Sequence, residues 1–562
     1  MTLVKANGAE LIMRLLERQG IEVVAGIPGG ANLPTYDALR ASRLRHVLAR
    51  HEQGAGFIAQ GIARATGRPA VCFGTSGPGA TNLLTALADA KLDSIPLVVI
   101  TGQVPRAMIG TDAFQEIDTY GLTVPIAKHN WLVRSAAELL DVVPDAFRIA
   151  ASGRPGPVVI DVPKDVQLET IEVERLPEPG RPDAPPAARP DDVARAAELL
   201  ASARRPVFLV GAGLIASGAS DRMRRIAERG AIPVAATLLG LGAMPDGHPL
   251  FVGMVGMHAA RYTNLLLEDC DLLVGLGVRF DDRAVGRAAA FCPQARIVHV
   301  DIDASELGKV KQPTLGIEAD VGDFLRALEP LLGPCERPEW AARLAALRAT
   351  HPLATPGRDD PCTPYGSIRH AAQLIGDAAV VTSDVGQHQM WVAQAFPFRR
   401  PRQWLTSGGL GTMGFGLPAA IGAALALPDR PVVCFTGDGS LLMNLQELAT
   451  AAEERVDVKV ILLDNGHLGL VRQQQELFYG RRFHASRFHA APDFVAIARG
   501  FGLAAHDLEG CSDPLELLGR GLATRGPCLI RVPIAPEANV YPMVPPGAAN
   551  RDMIGGETHA TT

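Results

Sequence analysis

Short apolar runs alternate with longer stretches of small residues along most of the chain. Residues 207–210, 272–276 and 458–463 are apolar almost throughout and have the length of strands that are buried on both faces. The stretches between such runs, of which 54–65 is typical, have helical length and few charges. Strands and helices that alternate in this way predict an α/β fold with parallel sheets.

Two breaks in composition divide this pattern into blocks. Residues 176–190 are crowded with prolines and alanines, as expected for a linker, and 333–361 contain a short charged helical segment between prolines. These breaks predict three doubly wound parallel-sheet domains at 1–170, 190–332 and 365–535, followed by a Pro/Gly-rich tail at 536–562. The predicted strands include 22–26, 46–48, 70–73 and 97–101 in the first block and 207–210, 272–276 and 297–301 in the second.

The bulk composition narrows the class of protein. The chain of 562 residues is too long for one hydrophobic core, and 47% hydrophobic with 20% charged residues indicates a soluble globular protein. A net charge of −6 provides no polybasic surface, so neither nucleic acid nor an anionic membrane is an expected partner. The eight cysteines have no C-x-x-C spacing, and neither a signal peptide nor an apolar run of membrane-spanning length is seen. We therefore expect a cytoplasmic enzyme.

The most informative motif pairs Asp438 with Asn465. Each follows an apolar run of strand length, and 444–454 between them has a helical pattern. The two strands of such a unit are parallel, so both side chains are expected at the same edge of a sheet. A carboxylate and an amide oxygen suit Mg²⁺, while Gly437 and Gly439 allow a phosphate to approach the backbone. For the Gly-Asp-Gly sequence alone, an ordinary acidic turn is the alternative.

Glu52 is the candidate acid of the first block. It lies between a strand and the helical stretch 54–65, and its C-terminal neighbours carry almost no charge. The carboxylate is therefore expected to be desolvated, which favours acid chemistry near neutral pH. A surface acid stabilised by the helix dipole is an equally good interpretation of these residues alone.

Several turns and loops are weaker signals. The glycine-rich turns at 27–30 and 76–82 follow strands and allow a ligand to approach the backbone. Gln115 lies in a polar loop, where its amide could donate to a developing oxyanion, although a loop glutamine is more often satisfied by its neighbours. The turn at 210–213 hints at a dinucleotide, but plain strand–helix packing explains it as well.

Together these motifs resemble one family, the catalytic large subunits of the thiamine-diphosphate-dependent acetohydroxyacid synthases (acetolactate synthases). The resemblance covers nearly the whole chain and includes residues 110–116, 128–130, 163–167, 253–258, 279–283 and 411–416. Residues 385–391 and 541–550 are most similar to the enterobacterial isozyme I type. The resemblance implies a pyrimidine-binding domain, a central FAD-binding domain and a diphosphate-binding domain, in that order.

The resemblance assigns Glu52, Gln115 and Lys164 to catalysis. Glu52 would bond to N1′ of the aminopyrimidine, Gln115 would position substrate oxygens, and Lys164 would line the approach, where a purely structural role is the alternative. Met413 would press the cofactor into its bent shape. The other implied thiamine diphosphate contacts are Gly386, Gln387, His388, Gly411, Gly437, Gly439, Ser440, His467 and Leu468, and His467 is also implied to join Asp438 and Asn465 at Mg²⁺.

The resemblance also implies FAD in the central domain. Its role would be structural, because the net reaction of the family transfers no electrons. The implied contacts are Arg154, Gly211, Gly213, Thr237, Leu238, Met257, His258, Gly277, Arg279, Asp301, Asp303, Asp320 and Val321. Ala212 and Ala259 stand where members of the family usually have glycine, so each adds a methyl group at the expected flavin surface.

Two further departures concern the metal and the substrate. Asp464 stands where most members have asparagine, but the neighbouring Asn465 is the metal ligand, so the site is expected to survive. Gln474 stands where many members carry a tryptophan that favours 2-ketobutyrate over pyruvate. We therefore expect mainly acetolactate from two pyruvates. The substrate residues that the family implies are Gly30, Phe114, Gln115 and Gln474.

The implied reaction decarboxylates pyruvate and transfers the remaining two-carbon unit to a second pyruvate or to 2-ketobutyrate. This is the first common step of branched-chain amino-acid biosynthesis. The implied assembly is a homodimer or homotetramer, in which Glu52 of one subunit meets Asp438 of another, with a small regulatory subunit. The main alternative is a pyruvate oxidase of the same fold. A glyoxylate carboligase, a non-catalytic partner subunit and a nicotinamide dehydrogenase are weaker alternatives.

Overall fold

Three six-stranded sheets, one from each block of the chain, dominate the computed structural model, which describes residues 4–490 and 492–556. All pairings within the three sheets are parallel, as the uninterrupted apolar strands predict. Helices cover both faces of each sheet, so the prediction of three doubly wound α/β domains is confirmed.

The first domain contains the sheet β3-β2-β4-β5-β7-β6. Its strands are β1 (Val4–Asn7), β2 (Val23–Gly26), β3 (Arg45–Leu48), β4 (Ala70–Gly74), β5 (Leu97–Gln103), β6 (His129–Leu132), β7 (Pro157–Pro163) and β8 (Thr170–Val173). Its helices are Gly8–Arg18, Leu33–Arg40, Glu52–Thr66, Pro78–Thr81, Leu84–Asp93, Thr119–Thr123, Leu139–Ala151 and Lys164–Leu168. β1 and β8 form a separate antiparallel pair, which brings the last strand of the domain beside the first.

The first helix illustrates how local sequence sets these limits. Asn7 Oδ1 accepts a hydrogen bond from the backbone N–H of Glu10, and the Glu10 carboxylate accepts one from the N–H of Asn7. This capping box satisfies two backbone donors that helix geometry leaves free. The amphipathic pattern of the first twenty residues therefore forms a helix over Gly8–Arg18.

The central domain contains the sheet β11-β10-β9-β12-β13-β14. Its strands are β9 (Pro206–Val210), β10 (Val234–Ala236), β11 (Phe251–Met254), β12 (Leu272–Leu276), β13 (Arg296–Asp301) and β14 (Leu315–Glu318). Its helices are Pro190–Ser202, Ala212–Ala216, Ser220–Arg229, Arg261–Asp269, Asp282–Val285 and Val321–Leu328. Helix Pro338–Thr350 follows in the predicted proline-bracketed segment.

The third domain contains the sheet β16-β15-β17-β18-β20-β19. Its strands are β15 (Val380–Ser383), β16 (Trp404–Thr406), β17 (Val432–Gly437), β18 (Val458–Asp464), β19 (Ala504–Asp507) and β20 (Cys528–Pro533). Its helices are Pro364–Ile375, Gln387–Ala395, Gly416–Ala426, Asp438–Leu441, Glu447–Glu454, Gly469–Phe478, Phe494–Gly500 and Pro514–Ala523. Single 3₁₀ turns occur at Arg106–Met108, Leu238–Gly240, Ala288–Ala290, Ala304–Glu306, Glu329–Leu331 and Asn550–Asp552.

The predicted helix at 444–454 begins later than expected, at Glu447. The residues before it form successive turns, in which the N–H of Glu447 donates to Asn444 O and the N–H of Leu448 donates to Leu445 O. The Asn444 side chain donates to Gly414 O, an interaction across the domain that the sequence pattern does not reveal. The strand and helix limits elsewhere agree with the predicted ones to within two residues.

The first and third domains pack tightly on each other through helices Glu52–Thr66 and Gly416–Ala426. A Cβ at Gly61 would overlap the carbonyl oxygen of Ala419, and a Cβ at Gly422 would overlap that of Ile58. The Phe57 and Phe415 rings lie edge to face with centroids 5.4 Å apart. Glycine at both crossings therefore permits a backbone contact that few other residues allow.

Over residues 4–490 and 492–556, no helix is both long and apolar enough to span a bilayer.

Candidate active site

Asp438 and Asn465 lie side by side at the carboxyl edge of the third sheet. β17 and β18 are neighbouring parallel strands, so the residues that follow them emerge at the same edge. The backbone N–H of His467 donates both to Asp438 Oδ2 and to Asn465 Oδ1, each 3.1 Å away. Two oxygens of the kind that Mg²⁺ prefers therefore converge on one point.

A second carboxylate lies close to this point. Burial, with the nearby charge of Asp464 adding to it, raises the pKa of Asp438 to about 7. Asp464 is held by Arg531, whose Nε lies 2.7 Å from Asp464 Oδ2, and Arg531 also pairs with Asp507 and Glu509. A bound divalent cation would offset the charge of the two neighbouring carboxylates, so this donor set fits Mg²⁺.

A buried histidine faces the same sheet edge. His388 Nε2 is shielded from solvent and has no hydrogen-bond partner among the described residues. Burial lowers the pKa of His388 to about 3, so the ring is neutral. A Cβ at Gly437 would lie 2.8 Å from His388 Nδ1, so glycine is the residue that fits there. A buried ring nitrogen without a partner, beside a short helix start, fits a diphosphate oxygen as its ligand.

Residues from distant segments surround Gly439. A Cβ at this position would lie 2.6 Å from Leu468 Cδ2 and 3.6 Å from Met413 Cε. Gln387 links the segments, because its Oε1 accepts from Asn465 Nδ2 over 3.2 Å. The remaining predicted residues lie nearby: Gly386 immediately precedes helix Gln387–Ala395, Gly411 has a φ of +70°, and Ser440 Oγ donates to Val385 O over 2.8 Å.

Glu52 is the first residue of its helix and is only 8% exposed. Its Oε2 accepts a hydrogen bond from Asn82 Nδ2 over 2.9 Å. A Cβ at Gly79 would lie 3.5 Å from Glu52 Oε1. The glycine-rich turn at 76–82 therefore lies against the carboxylate, which is buried as its uncharged flank predicts.

Phe114 and Gln115 lie in a projecting loop of the first domain. Phe114 is 87% exposed, and Gln115 has a φ of +61°. The Glu116 carboxylate accepts from the backbone N–H of Gly110 and of Ala113, which lowers the pKa of Glu116 and ties the ends of the loop together. The loop thus presents a large apolar side chain to its surroundings.

The loop packs on the turn that lies against Glu52, since a Cβ at Gly77 would lie 2.9 Å from Gln115 O.

The other predicted substrate residues lie on different elements. Lys164 begins a helix at the carboxyl end of β7. Gly30 lies in the turn after β2 with open space on its Cβ side, and Gln474 lies on helix Gly469–Phe478.

A cavity of about 1250 Å³ is lined by residues from all three domains. Its walls contain most of the residues predicted to contact FAD, namely Arg154, Gly213, Thr237, Leu238, Met257, His258, Gly277, Arg279, Asp301, Asp320 and Val321. Gly411 and Gln474 line the same cavity, so the predicted flavin and substrate positions are connected. The volume exceeds that of most small-molecule sites and fits a ligand as large as a dinucleotide.

Two of the predicted flavin residues do not line this cavity. A Cβ at Gly211 would overlap the carbonyl oxygen of Gly277, so close strand–helix packing requires the glycine. Asp303 instead pairs with Arg154, whose Nη1 lies 3.2 Å from Asp303 Oδ2 and 2.6 Å from Glu306 Oε1. Asp303 and Glu306 therefore orient the guanidinium that reaches the cavity.

The C-terminal tail closes one side of the cavity. The N–H of Val544 donates to Met257 O over 2.9 Å, and Met543 lines the cavity. Burial lowers the pKa of His258 to about 4, so the ring is neutral. Its Nδ1 lies 3.1 Å from Pro542 O, in the tail.

Comparison with known proteins agrees with this geometry. Three thiamine pyrophosphate enzyme models match: the N-terminal TPP binding domain over residues 6–122, the central domain over 193–328, and the C-terminal TPP binding domain over 384–532. The acetolactate synthase isozyme 1 large subunit of Escherichia coli (strain K12) is 57% identical over 550 residues, which cover 98% of each chain. The chain belongs to the acetolactate synthase large subunits.

Other members of the family are also similar over nearly their full length. The acetolactate synthase large subunit of Parasynechococcus marenigrum (strain WH8102) is 46% identical over 98% of this chain and 91% of its own. The isozyme 2 large subunit of Escherichia coli (strain K12) is 43% identical over 98% of this chain and 99% of its own. The predicted family and its thiamine-dependent fold are thus confirmed.

The structure explains why this acetolactate synthase subunit accommodates Asp464. Arg531, on the neighbouring strand β20, supplies the countercharge that an asparagine at position 464 would not need. Strand register brings the two side chains together. Asp464 pairs with Pro533 on β20, and Arg531 lies two residues before Pro533 on that strand. The sequence pattern alone offered no reason to connect the two positions.

Sequence reasoning missed several residues that position the site. Asn82 and Glu306 are the partners of Glu52 and Arg154. Glu447 is fully buried, and its Oε1 accepts from the backbone N–H of both Arg50 and His51 over 3.0 Å. Asn82 belongs to the motif at 76–82, so a signal for it was present. Glu447 lies about 400 positions away from its partners, and no local pattern connects them.

Proposed function

We propose that this acetolactate synthase subunit decarboxylates pyruvate and joins the remaining two-carbon unit to a second 2-ketoacid. The observation that carries the proposal is the convergence of Asp438 Oδ2 and Asn465 Oδ1 on one N–H, that of His467. Such a pair of oxygens leaves the remaining positions of Mg²⁺ free for diphosphate oxygens and water. The products are 2-acetolactate and, with 2-ketobutyrate, 2-aceto-2-hydroxybutyrate, at the start of branched-chain amino-acid biosynthesis.

The cofactor would be held at both ends. Asp438, Asn465 and His467 would bind Mg²⁺ and the diphosphate, with the neutral His388 ring beside them. Glu52 would bind N1′ of the aminopyrimidine and hold a proton there. When bound, thiamine diphosphate supplies a nucleophilic carbon for the ketone of pyruvate and a cationic thiazolium ring that takes up the electron pair released as CO₂ leaves.

The substrate would approach between the projecting loop and the cavity. Gln115 would donate to substrate oxygens, and Phe114, Lys164 and Gly30 would line the path. Gln474 offers less apolar surface than the tryptophan found in many relatives. Pyruvate is therefore the favoured second substrate.

FAD would occupy the large cavity as a structural group. The cavity fits its size, and Arg154, held by Asp303 and Glu306, offers fixed N–H donors on one wall. Because the carboligation transfers no net electrons, the flavin would stabilise the arrangement of the three domains.

Two copies of the chain would form each active site. Exposed apolar side chains occur in the first and third domains: Leu33, Met108, Phe114, Tyr120 and Val124 in the first and Leu410, Met443, Val471, Phe478 and Tyr479 in the third. Surfaces of this kind are commonly covered by a partner. A homodimer or homotetramer, a small regulatory subunit and a cytoplasmic location complete the proposal, with no nucleic acid or membrane partner.

A cofactor-omission assay tests the proposal. Acetolactate formed from pyruvate is measured with thiamine diphosphate, Mg²⁺ and FAD each left out in turn, and with a redox-inactive 5-deazaflavin in place of FAD. We expect loss of product without thiamine diphosphate or Mg²⁺, and full activity with the inactive flavin. Full activity after complete removal of thiamine diphosphate would contradict the proposal.

Oxygen and quinone consumption in the same assay addresses the pyruvate oxidase alternative. The relatives named above are acetolactate synthases, which favours carboligation. Pyruvate-dependent oxygen or quinone consumption that matches CO₂ release would instead support the oxidase.

A further inference from the structure

A buried ionic cluster lies in the first domain, outside the predicted site residues. Arg64 on helix Glu52–Thr66 contacts Asp89 and Asp93 on helix Leu84–Asp93, with Arg64 Nη2 3.0 Å from Asp89 Oδ1 and 2.8 Å from Asp93 Oδ2. All three side chains are almost completely buried. One guanidinium cannot satisfy two carboxylates, so their other oxygens need further donors.

Those donors come from the third domain. Asp93 accepts from the backbone N–H of Gly408 over 2.9 Å and of Gly409 over 2.7 Å. Asp89 Oδ2 accepts from the hydroxyl of Ser407 and, over 2.8 Å, from that of Thr412. Four of the six residues of the loop 407–412 are therefore bound by two carboxylates of another domain.

Arg64 adds a contact to the residue just before the loop, since its Nη1 donates to Thr406 O over 2.9 Å. The guanidinium also lies 4.8 Å from the centre of the Phe415 ring. The cluster thus contacts the chain on both sides of the loop.

The loop leads directly to predicted cofactor residues. Gly411 belongs to it, and Met413 follows immediately, with its methyl group close to Gly439. A Cβ at Gly409 would lie 2.9 Å from Asp93 Oδ1 and 3.2 Å from Arg279 Nη2, so the loop is packed here against Asp93 of the cluster and against Arg279, and all three residues line the large cavity. A segment with three glycines has high conformational freedom and needs such contacts to keep one position.

We propose that Arg64, Asp89 and Asp93 are positioning residues, which hold the loop 407–412 so that Gly411 and Met413 meet thiamine diphosphate. The inference rests on the proposed function in one respect, because it takes Gly411 and Met413 as cofactor contacts. Each carboxylate acts through the loop and does not touch the cofactor itself.

If the cluster only stabilised the fold, variants of its residues would behave differently from variants of positioning residues. Its loss would lower the melting temperature, while the protein that remains folded would bind thiamine diphosphate normally. A positioning role predicts weaker cofactor binding in the folded protein. The dissociation constant for thiamine diphosphate therefore separates the two roles.

The test compares variants of the full chain by calorimetric titration with thiamine diphosphate at saturating Mg²⁺, well below the melting temperature. Thr412→Val removes one hydroxyl donor with little change of shape, and Thr412→Ser keeps it. Asp93→Asn replaces the charged carboxylate that accepts hydrogen bonds from the backbone N–H groups of Gly408 and Gly409 with a neutral amide. As a matched control, Asp271→Asn alters a carboxylate that likewise accepts two backbone N–H groups, from Arg204 and Arg205, in the central domain.

We expect the dissociation constant to rise about tenfold or more for Thr412→Val and Asp93→Asn, as the loss of a hydrogen bond to a charged group predicts. Thr412→Ser and Asp271→Asn should stay within about twofold of wild type. Folded Thr412→Val and Asp93→Asn proteins with wild-type affinity would overturn the inference alone. A wild-type protein that binds no thiamine diphosphate would overturn the proposed function, and the inference with it.

Discussion

At the scale of single residues, the two carboxylates assigned to the cofactor have different surroundings. Asp438 is buried beside a second carboxylate, an arrangement that a cation stabilises. Glu52 accepts a hydrogen bond from a neutral amide, that of Asn82, in a nearly uncharged environment. The surroundings of Asp438 suit metal binding, and those of Glu52 suit a hydrogen bond to a heterocyclic nitrogen.

Glu52→Gln should abolish turnover, because the amide cannot hold a proton at the pyrimidine. We expect acetolactate formation to fall by about 10²–10⁴-fold, the range typical of a lost acid–base group. Glu10→Gln serves as control, since the Glu10 carboxylate caps the first helix of the same domain and is not among the predicted site residues. Equal activity of Glu52→Gln and wild type would contradict the assignment.

Gln474→Trp should change the product ratio. A tryptophan on helix Gly469–Phe478 would add apolar surface to the cavity wall, which favours the extra methylene of 2-ketobutyrate. The selectivity gained from one methylene is about tenfold or more. Competition between pyruvate and 2-ketobutyrate, with both products quantified, measures it. An unchanged ratio would show that another residue selects the second substrate.

At the scale of secondary-structure elements, the carboxyl ends of β5 and β7 share a buried polar network. Asp161 accepts from Thr101 Oγ1 over 2.6 Å and from Gln103 Nε2 over 2.9 Å. Gln103 Nε2 also donates to Ile117 O over 2.9 Å, at the end of the loop that carries Gln115. Burial raises the pKa of Asp161 to about 7, so the folded protein retains a proton that the unfolded chain loses near its ordinary value.

The stability contributed by Asp161 should therefore fall as the pH rises from about 4 to about 7, and stay level above that range. The slope is at most about 1.4 kcal/mol per pH unit. Asp161→Asn keeps the shape of the side chain without its titration. The melting temperature of the wild type should therefore fall relative to that of the variant as the pH rises. A difference that is constant from about pH 5 to about pH 8 would contradict this.

How far the sequence predicts the structure differs between elements. The apolar runs predict the parallel sheets, and the spacing of Asp438 and Asn465 predicts their common edge, because strand direction settles both. The motif at 76–82 marks Asn82, but its contact with Glu52 depends on turn geometry, and the pairing of Asp464 with Arg531 depends on strand register, so neither contact could be predicted. The contacts of the loop 407–412 depend on how two domains pack, which no local pattern encodes.

Gly61→Ala should destabilise the protein. The new Cβ would overlap the carbonyl oxygen of Ala419 and force apart two packed helices, at a cost of about 1–3 kcal/mol. Gly500→Ala is the matched control, since Gly500 is also helical and has open space around its Cβ position. Melting temperatures followed by circular dichroism should fall only for Gly61→Ala. Equal melting temperatures would show that the helices separate without cost.

At the scale of the whole molecule, the two halves of the proposed site belong to different domains. Glu52 lies in the first domain and Asp438 in the third. The exposed apolar side chains of both domains, among them Phe114 and Met443, offer surface for a second copy of the chain.

Mixing two inactive variants tests whether the site is shared between subunits. Glu52→Gln and Asp438→Asn are each expected to be inactive. After subunit exchange, each mixed dimer would contain one site with both carboxylates intact, so about one quarter of wild-type activity should return. Activity that does not return, although native mass spectrometry detects mixed dimers, would place both carboxylates of a site in one chain.

The packing of helix Glu52–Thr66 on helix Gly416–Ala426 also has a consequence for biosynthesis. The ribosome releases the first domain, with Phe57 on its surface, before it has made the adjoining Phe415 and the helix that follows it, because the entire central domain is translated in between. At about 5–20 residues per second, the apolar face stays open for tens of seconds. The nascent chain should therefore be a good client for chaperones that bind apolar surface, and its yield should depend on them more than on the stability of the finished protein.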